Sequence, residues 1–368
     1  MVFRIPIAKP YISGQEINAV TRVLKSGMIA RGKEVEQLEQ NYRDVCGTKY
    51  SAATSSGTAA LHSSMYGIGL GKGDEVITTP FTFVATVHPI IMLGAKPVFA
   101  DIDPLTYNID PKSIEKVLTK KTKAIVTVDL YGQPADYKEI NKIARANDLV
   151  VVEDAAQAIG ATYGNKSTGA LGDIGCFSMY ATKNITTGEG GMITTNNAEF
   201  YEKAYLFRHH GQIRGKEYEY EDVGYNYELS DIAASIGNVQ ISKLAKITKK
   251  RQKIAALYDK AFKNITGLVT PFVGPNRTHV YHQYTLRVTK DFPMNRDAFG
   301  AYLRERGIGC RVYYPEPLHR FKNHIHCSAQ DKDLPNTVKA SQEVLSIPCH
   351  PNLTDEEVRY IINTIKNI

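Results

Sequence analysis

The sequence predicts an α/β protein: a large domain with a mostly parallel central sheet flanked by helices, followed by a smaller C-terminal α/β domain. Between Tyr50 and Asn196, short β-rich runs alternate with stretches of helix length, and the runs are DEVITT, KPVFAD, KAIVTVDL and LVVVED. This alternation is typical of a parallel sheet covered by helices. The chain has 368 residues. Because single cores stop growing at roughly 250–300 residues, two domains are expected.

Helical periodicity flanks this region on both sides. Residues 14–27 and 33–46 carry apolar side chains at helical spacing and predict two helices packed outside the sheet. After Leu229 a longer helical pattern runs without a proline until Pro271. Its apolar positions are Ile232, Ile236, Val239, Ile241, Leu244, Ile254 and Leu257. We interpret this pattern as the connector, which divides the chain into a large domain, 1–245, and a small domain, 246–368.

The C-terminal third predicts the elements of the small domain. They are a strand at YHQYTLRV, a helix at 297–306, a strand at GCRVYY, and helices at 337–345 and 355–365.

Composition and charge favour an ordinary soluble protein. Hydrophobic residues make up 43% of the chain and charged residues 23%, which separates it from disordered and fibrous classes. The net charge of +7 is spread along the chain. Its densest basic run, 249–253, lies inside a helical pattern, where a solvated helix face is the simpler interpretation. The sequence therefore predicts no nucleic-acid partner.

Cysteine usage and the amino terminus predict a cytoplasmic location. The five cysteines have no paired spacing of the kind that zinc sites or redox motifs need, so we expect no metal and reduced thiols. The opening MVFRIPIAKP has no apolar run followed by a cleavage site. The longest apolar stretches are interrupted by His88, Pro89 and Lys96, so no membrane segment is expected.

The buried-strand run LVVVED ends in an acidic pair, Glu153 and Asp154. Asp154 is expected at the carboxyl end of a strand, where open α/β sheets bind ligands. A carboxylate there can pair with a protonated pyridine nitrogen. Gln157 follows by one expected helical turn, from which it can reach a phenolic oxygen on the same ring. The alternative is an acid that caps the next helix.

The segment TSSGTAAL passes from a β-rich run through small polar residues into a helical pattern. A helix that begins here offers free backbone N–H groups and the positive end of its dipole to a phosphate. The alternative is that Ser56 or Thr58 caps the helix.

Lys183 stands between the β-rich run CFSMY and the glycine-dense turn TGEGG. Glycines allow close backbone approach and remove side chains that would obstruct a cofactor, so Lys183 is placed to reach inward. A desolvated lysine amine can form a Schiff base. The alternative is a solvated surface lysine, since lysine is rarely buried.

In this order and at these separations, the three segments closely resemble those of the DegT/DnrJ/StrS sugar-nucleotide aminotransferases, a branch of the fold-type I pyridoxal-phosphate (PLP) enzymes. The resemblance covers nearly the whole chain. The matching segments are KPYISGQEI, SGMIARGKEVEQLE, SSGTAAL, GDEVITTPFTFVAT, GAKPVFADID, DLYGQPAD, EDAAQAIGATY, GDIGCFSMYATKNITTGEGGMITT, VGYNYELSDIAA, YYPEPLH and SIPCHPNLT.

The resemblance implies cofactor roles for individual residues. Lys183 matches the lysine that forms the Schiff base to PLP, Asp154 the partner of the pyridine nitrogen, and Gln157 the residue near the phenolic oxygen. The expected phosphate-binding residues are Ser56, Gly57, Thr58 and Ser178.

Two further residues acquire roles from the resemblance alone. Phe83 falls where the family stacks an aromatic ring on the cofactor, an arrangement that contributes about 0.5–1.5 kcal/mol beyond area burial. Asn226 matches a residue that reaches the phosphate from a second subunit, which implies a homodimer with shared active sites. From the sequence alone, Phe83 would equally be a core residue and Asn226 a turn residue.

Substrate contacts are less defined. Arg31, Tyr313, His319 and the pair His209 and His210 lie in segments that border the family's substrate pocket, and we take Arg31, His210, Tyr313 and His319 as candidates. Glu228 stands where many relatives have arginine, in GYNYRM, so a role of that arginine near an anionic substrate group is in doubt here.

The resemblance implies an aminotransferase that moves an amino group from an amino acid, the family's usual donor being L-glutamate, through PLP and its pyridoxamine form (PMP) to a nucleotide-linked keto-sugar. GYNYELSD is more similar to the branch acting at C4 of 4-keto-6-deoxy sugars than to the C3 branch.

The alternatives are a PMP-dependent sugar-nucleotide dehydratase, in which histidine replaces the lysine, and a non-catalytic regulatory homologue. A nicotinamide enzyme is disfavoured because no GxGxxG opens a helix after an early strand.

Overall fold

The computed structural model describes residues 4–368, and a seven-stranded sheet forms its centre. The strands of this sheet are β1 (Tyr50–Thr54), β2 (Glu75–Thr78), β3 (Lys96–Phe99), β4 (Thr122–Val128), β5 (Val150–Asp154), β8 (Ile174–Ser178) and β9 (Gly191–Thr195). Two short strands, β6 (Thr162–Tyr163) and β7 (Lys166–Ser167), form a separate hairpin between β5 and β8.

The order across the sheet is β1-β9-β8-β5-β4-β2-β3. From β3 to β8 the neighbouring strands are parallel, whereas β9 is antiparallel to both of its neighbours. The four β-rich runs of the sequence form β2, β3, β4 and β5. The predicted mostly parallel sheet is therefore confirmed.

Helices cover the sheet and extend to the C-terminus. They are α1 (Gly14–Ser26), α2 (Lys33–Cys46), α3 (Gly57–Gly67), α4 (His88–Met92), α5 (Pro111–Val117), α6 (Tyr137–Ala146), α7 (Ala198–Arg208), α8 (Asp231–Ser242), α9 (Leu244–Phe262), α10 (Arg296–Glu305), α11 (Pro335–Glu343) and α12 (Asp355–Lys366). The two predicted N-terminal helices are α1 and α2, and both pack against α8.

The central strands are buried on both faces, as their continuous apolar runs predict. Val126 and Val152 pack in one cluster with side chains of α3 and α7. Ile125 and Val151, which point to the opposite face, pack with side chains of α5 and α6. Burying each such side chain stabilises the fold by about 1.5–3 kcal/mol. This packing fixes the ends of β4 and β5, where the candidate site begins.

A second core lies in the C-terminal part of the chain. It is built around a three-stranded antiparallel sheet of β10 (Leu268–Val269), β11 (Tyr284–Val288) and β12 (Val344–Ile347). Side chains of α9, α10 and α12 pack on it, and Ile5 from the N-terminal segment joins the same cluster. The division of the chain at 245 and 246 stays a prediction.

The connector after Leu229 is two helices rather than one. The helix α8 ends at Ser242 and α9 begins at Leu244. Lys243, between them, donates from Nζ to Glu16 Oε1 at 2.6 Å and to Ser13 Oγ at 2.9 Å. These contacts with the start of α1 fix the junction between α8 and α9. The apolar periodicity of the sequence does not reveal this junction and predicts one continuous helix.

Among the elements predicted for the C-terminal third, one is wrong and another is confirmed except at its end. The segment GCRVYY is not a strand, because Arg311 forms only an isolated bridge to Ser346. The helix expected near 337–345 is confirmed as α11, but it ends at Glu343, and the chain continues from Val344 as β12, paired with β11. In both cases, pairing with a strand distant in sequence decides the conformation, and local propensity carries no information on that partner.

The basic run 249–253 is only partly a solvated helix face. Lys249, Lys250 and Lys253 are exposed on α9, but Arg251 is buried. Its Nη1 donates to three backbone carbonyl oxygens, those of Tyr281, His282 and Cys349. The Arg251 guanidinium thus joins α9 to the segments before β11 and after β12.

Two carboxyl groups are buried together at the ends of β4 and β5. Glu153 accepts from three backbone N–H groups, at Gly169, Leu171 and Gly172, at 2.6–3.2 Å. Asp129 accepts through Oδ1 alone, from Ala135 N and Tyr137 Oη. Burial and the neighbouring Glu153 charge raise the pKa of Asp129 well above its usual range. We infer that Asp129 carries a proton, whereas the three backbone donors limit the effect of burial on Glu153, whose pKa rises to about 7.

This pair predicts a pH-dependent stability that Asp129→Asn should remove. The folded protein keeps a proton on Asp129 that the unfolded chain has lost above about pH 4, so the wild type loses stability as the pH rises. An amide at position 129 carries no titrating proton. We expect the difference in unfolding free energy, variant minus wild type, to increase by about 1.4 kcal/mol for each pH unit between pH 5 and 7.

Urea unfolding at pH 5, 6 and 7 measures this difference. Asp148→Asn is the matched control, because Asp148 is exposed and its left-handed backbone conformation suits asparagine equally well. Equal pH dependence for Asp129→Asn and wild type would show that Asp129 is ionised in the folded protein.

Candidate active site

The candidate site lies where β1, β5 and β8 end and the chain turns into the following segments. Gly57, the first residue of α3, lies directly against Ser178, the last residue of β8. A Cβ added to Gly57 would lie 2.7 Å from the Ser178 Cβ, a distance that real side chains do not allow. Glycine at position 57 is therefore required for this approach, which brings two predicted phosphate-binding residues together.

The start of α3 presents backbone donors. Ser56 is the N-cap, and its Oγ accepts from Ala59 N at 3.1 Å, so the capping alternative is confirmed for Ser56. Backbone bonding along the helix begins with Ala60 N, which donates to Ser56 O. The N–H groups of Gly57 and Thr58 precede it and, with the dipole of an 11-residue helix, suit an anion.

Lys183 lies in the turn between β8 and β9. Although part of its surface is exposed, enough protein surrounds the amine to desolvate it. This desolvation lowers the pKa of Lys183 to about 8, and the Asp154 charge opposes the shift. The lowered pKa does not fit a solvated surface lysine. Lys183 is therefore an amine that is partly neutral near physiological pH, as a nucleophile requires.

Asp154 ends β5, as predicted, and is buried. Its Oδ2 accepts from Thr86 Oγ1 at 2.8 Å and its Oδ1 from Ala156 N at 3.2 Å. Burial raises the pKa of Asp154 despite these two bonds and the Lys183 charge, all of which lower it. A cationic group beside this carboxyl would offset its desolvation.

Gln157 does not lie one helical turn beyond Asp154, because residues 155–160 form turns rather than a helix. No helix follows for Asp154 to cap, so that alternative is wrong as well. Gln157 is held from two sides: its Oε1 accepts from Tyr131 N at 2.8 Å, and its Nε2 donates to Tyr314 Oη at 3.2 Å. The amide is therefore fixed in place beside the phenol of Tyr314.

Phe83 is open to solvent on one side. It precedes the short 3₁₀ turn Val84–Thr86, and 59% of its surface is exposed. Its ring centroid lies 6.4 Å from that of Tyr314. An exposed aromatic face beside the Asp154 segment is available for stacking on a planar ligand.

Arg31 belongs to a cluster with Glu228 and His209. Glu228 Oε1 lies 3.5 Å from Arg31 Nε and 3.3 Å from His209 Nδ1. Both nitrogens are buried without a hydrogen bond among the described residues. His210 is exposed, and its ring lies 5.9 Å from that of His209. The carboxylate at position 228 thus compensates the charge of Arg31.

The two candidates in YYPEPLH lie in different surroundings. Tyr313 is half-buried, and its carbonyl oxygen accepts from the hydroxyl of Tyr131. His319 is buried and its Nε2 contacts Asp331 Oδ1 at 2.8 Å. Tyr314, which the sequence did not single out, is the tyrosine of this segment whose hydroxyl contacts Gln157.

Asn226 is exposed and lies in an irregular segment rather than in a turn, so the alternative of a turn residue is wrong. Its Oδ1 accepts from Glu228 N at 3.4 Å, and its backbone forms an isolated bridge with His209. The following Tyr227 carbonyl oxygen accepts from Ser55 N at 2.7 Å. The Asn226 segment is therefore fixed next to the start of α3, while the Asn226 side chain remains accessible.

Sequence reasoning missed three residues of this region: Thr86, Tyr314 and His282. His282 is buried, with Nδ1 at 3.3 Å from Asn184 Oδ1. Burial first, and then the charge of Lys183, lowers the pKa of His282. Thr86 lies in the family segment GDEVITTPFTFVAT, and Tyr314 lies in YYPEPLH and at the end of GCRVYY, for which only a strand was expected. Their positions relative to Asp154 depend on tertiary packing that a single sequence does not reveal.

Within residues 4–368, no group of three or more His, Cys, Asp or Glu side chains is arranged to hold a metal ion. No helix within it is long and apolar enough to cross a membrane.

The fold and site define a fold-type I PLP-dependent transferase. The chain belongs to the DegT/DnrJ/EryC1/StrS aminotransferase family, which it matches over residues 10–366. It is therefore a PLP-dependent aminotransferase that uses PLP and PMP.

Relatives in sequence carry both enzymatic and regulatory names. The chain is 39% identical to UDP-2-acetamido-2-deoxy-3-oxo-D-glucuronate aminotransferase of Pseudomonas aeruginosa, covering 95% of this chain and 94% of the relative. It is 34% identical to GDP-perosamine synthase of Caulobacter vibrioides, covering 99% and 98%. It is also 42% identical to a protein named pleiotropic regulatory protein in Geobacillus stearothermophilus, covering 95% and 93%.

Solved structures agree with the family assignment. DesV of S. venezuelae, in complex with a ketimine intermediate, has a TM-score of 0.91 and 31% identity, covering 96% of this chain and 94% of DesV. The Streptococcus pneumoniae protein Spr1654 in its PLP form has a TM-score of 0.91 and 30% identity, covering 99% and 97%.

The residues of this chain fit PLP. Gly57 and Ser178 approach as closely as a glycine allows, the start of α3 offers N–H donors, and Lys183 is desolvated. Asp154 is a buried carboxyl whose raised pKa a protonated ring nitrogen would lower. Each feature suits a different part of the cofactor: phosphate, aldehyde and ring.

Proposed function

We propose that this enzyme transfers an amino group from L-glutamate to the keto group of a nucleotide-linked sugar, a 4-keto-6-deoxy sugar, in amino-sugar and surface-polysaccharide biosynthesis. The observation that carries the proposal is the desolvated Lys183 amine within the electrostatic influence of Asp154. The names of the Pseudomonas and Caulobacter relatives support a nucleotide-sugar substrate. They name different nucleotides, UDP and GDP, and the Pseudomonas name specifies a 3-oxo sugar.

When bound, PLP withdraws electrons from the substrate carbon and carries the amino group between the two half-reactions as PMP. Lys183 holds the cofactor and moves the protons at that carbon. An amine with a pKa of about 8 is present in both protonation states near neutral pH. It can therefore accept a proton in one step and return it in the next.

The remaining residues bind and orient. Asp154 would hold a proton on the ring nitrogen, and the start of α3 with Ser178 would bind the phosphate. Gln157 is already fixed by Tyr131 and Tyr314, so its amide loses little conformational entropy when it contacts the ring. Phe83 presents its exposed face for stacking.

Substrate selection is proposed for the Arg31 and Glu228 cluster, with His210, Tyr313 and His319 as further candidates. Because Glu228 Oε1 lies near both Arg31 and His209, the local charge is close to neutral. This arrangement disfavours a carboxylate on the sugar at that position. It supports a neutral 6-deoxy sugar over a uronate.

A substrate panel tests the proposed function. We expect ping-pong amination of one 4-keto-6-deoxy sugar among UDP-, GDP- and dTDP-linked substrates, with L-glutamate consumed in equal amount. Product mass and 2-oxoglutarate release measure the reaction, with each sugar lacking its keto group as the control. Dehydration without glutamate consumption would indicate the dehydratase alternative, and no turnover on any keto-sugar would support a regulatory protein.

We also propose a homodimer in which Asn226 completes the partner subunit's site. The turn that precedes Asn226 exposes large hydrophobic side chains, since Tyr218, Tyr220 and Val223 are 77%, 58% and 75% exposed. Exposed apolar clusters of this kind mark interaction surfaces. Asn226 is also exposed and follows Val223 by three residues in sequence.

Subunit mixing tests the shared site. A Lys183→Ala chain and an Asn226→Trp chain should each be inactive, and the mixed dimer should regain one working site of two. In that site, an intact Lys183 comes from one chain and an intact Asn226 from the other. Activity should reach up to half the wild-type value per mixed dimer.

Size-exclusion chromatography of differently tagged chains, refolded together, confirms that mixed dimers have formed. Mixing the Lys183→Ala chain with a Lys183→Ala, Asn226→Trp double variant is the control that should not regain activity. Verified mixed dimers that stay inactive would place Asn226 in its own chain's site or outside both sites.

A further inference from the structure

Two buried threonines form a hydrogen-bonded chain that ends on Asp154. Thr86 Oγ1 donates to Asp154 Oδ2 at 2.8 Å, and the hydroxyls of Thr82 and Thr86 lie 2.9 Å apart. Thr82 is 2% exposed and Thr86 1% exposed. Both hydroxyls are therefore shielded from bulk water. In the low-dielectric interior of the protein, their hydrogen bonds are electrostatically stronger than they would be in water.

The number of available protons fixes the donor and the acceptor in the hydrogen bond between the two threonines. A threonine hydroxyl has one proton, and Thr86 donates its proton to the Asp154 carboxylate. Between the two threonines, Thr82 must therefore be the donor and Thr86 the acceptor. Both hydroxyl dipoles point toward Asp154, so each one stabilises negative charge on that carboxylate.

The Thr86 hydroxyl donates to a distant side chain rather than to a nearby backbone carbonyl. In helical turns, threonine hydroxyls often bond a backbone carbonyl three or four residues earlier. Here the 3₁₀ turn Val84–Thr86 directs the Thr86 hydroxyl across to the end of β5 instead. The contact spans 68 residues of sequence. It connects the segment after β2 to Asp154.

The same segment carries Phe83, which lies between the two threonines in sequence and is exposed while they are buried. Thr86 N donates to Phe83 O at 3.1 Å, which fixes the turn. One short segment therefore controls both the exposed aromatic face and the orientation of the Asp154 carboxylate. With Oδ1 held by Ala156 N and Oδ2 by Thr86, the carboxylate plane is defined.

We propose that Thr86 is a positioning residue for the cofactor ring: with Thr82 behind it, Thr86 keeps the Asp154 carboxylate ionised and oriented toward the ring nitrogen. This inference rests on the proposed role of Asp154. Its consequence is that part of the affinity for PLP resides in two hydroxyl groups that do not touch the cofactor.

Thr86→Val tests the inference, because valine keeps the shape of threonine and removes the hydroxyl. We expect the dissociation constant of PLP from the apo protein to rise about 10-fold or more, since a hydrogen bond to a charged group is lost. Thr86→Ser, which keeps the hydroxyl, should stay within about 3-fold of wild type. Thr82→Val should give a smaller rise, of about 3-fold, because Thr82 acts through Thr86.

Thr78→Val is the matched control. Thr78 is also buried, but its hydroxyl donates to the Val126 carbonyl oxygen rather than to a carboxylate. Thermal unfolding of each apo variant separates a loss of PLP affinity from a loss of stability. A rise in the dissociation constant for Thr78→Val equal to that for Thr86→Val would overturn the inference.

A double-mutant cycle gives the decisive measurement. If Thr86 acts through Asp154, Thr86→Val should change PLP affinity by less than about 2-fold in an Asp154→Asn background. Equal effects in both backgrounds, or no effect of Thr86→Val alone, would overturn the positioning role and leave the proposed function intact. Wild-type PLP affinity and spectrum in Asp154→Asn alone would contradict the role of Asp154 itself, and the inference with it.

Discussion

Lys183→Ala is expected to abolish the covalent attachment of PLP and to lower turnover by about 10²–10⁴-fold. The variant loses the amine that we propose both to hold the cofactor and to move protons at the reacting carbon. Its visible absorption band should shift to that of free or non-covalently bound PLP. Borohydride treatment followed by peptide mass spectrometry should find PLP on residue 183 in wild type and on no peptide in the variant.

The pH dependence of cofactor capture provides a second measure of the same amine. Only the neutral amine attacks the aldehyde, so the capture rate of the apo enzyme should rise with pH and level off above about 8, the lowered pKa of Lys183. An ordinary lysine would level off near pH 10.4. Lys166→Ala, at an exposed position in β7, is the control. A reducible adduct that survives in Lys183→Ala would show that another lysine holds the cofactor.

Asp154→Asn is expected to fold normally and to lose about 10²–10³-fold in turnover, the usual effect of removing one preorganised electrostatic group. The amide is neutral and cannot keep a proton on the ring nitrogen, so the ring withdraws electrons less strongly. Single-turnover rates with glutamate should fall as far as the steady-state rate, because the loss lies in the proton-transfer step.

The Asp154 comparison needs a charge-matched control. Asp148→Asn removes the same charge from an exposed position and should leave turnover within about 2-fold of wild type, since exposed charges are screened by solvent and salt. Turnover of Asp154→Asn close to that of Asp148→Asn would refute the proposed pairing with the ring nitrogen.

Much of this arrangement was accessible from the sequence, because the strands carry strong local signals. The apolar run before Asp154 predicted a buried strand with a carboxylate at its end, and β5 ends at Asp154. The glycines around Lys183 predicted an inward-reaching amine, and its pKa is lowered. In both cases the relevant signal is contained within about ten residues, which a single sequence does provide.

The features that the sequence did not predict depend on partners distant along the chain. EDAAQAIG has the composition of a helix start, but Ala155 N donates to Cys176 O on the neighbouring strand, and Gly160 adopts a positive φ of 78°. These contacts hold the segment in turns. Tyr314 and Thr86 similarly acquire their significance only through Gln157 and Asp154, which lie 157 and 68 residues away.

The order of the strands also sets when the site can be assembled during synthesis. The strand β1 leads directly into the start of α3, the proposed phosphate site, yet β1 pairs with β9. The two strands are separated by about 140 residues, which a ribosome adding roughly 5–20 residues per second covers in about 7–28 s. Until β9 emerges, Gly57 has no fixed place beside Ser178. We therefore expect nascent chains arrested before Gly191 not to bind PLP, which makes cofactor capture a late event in the biogenesis of this enzyme.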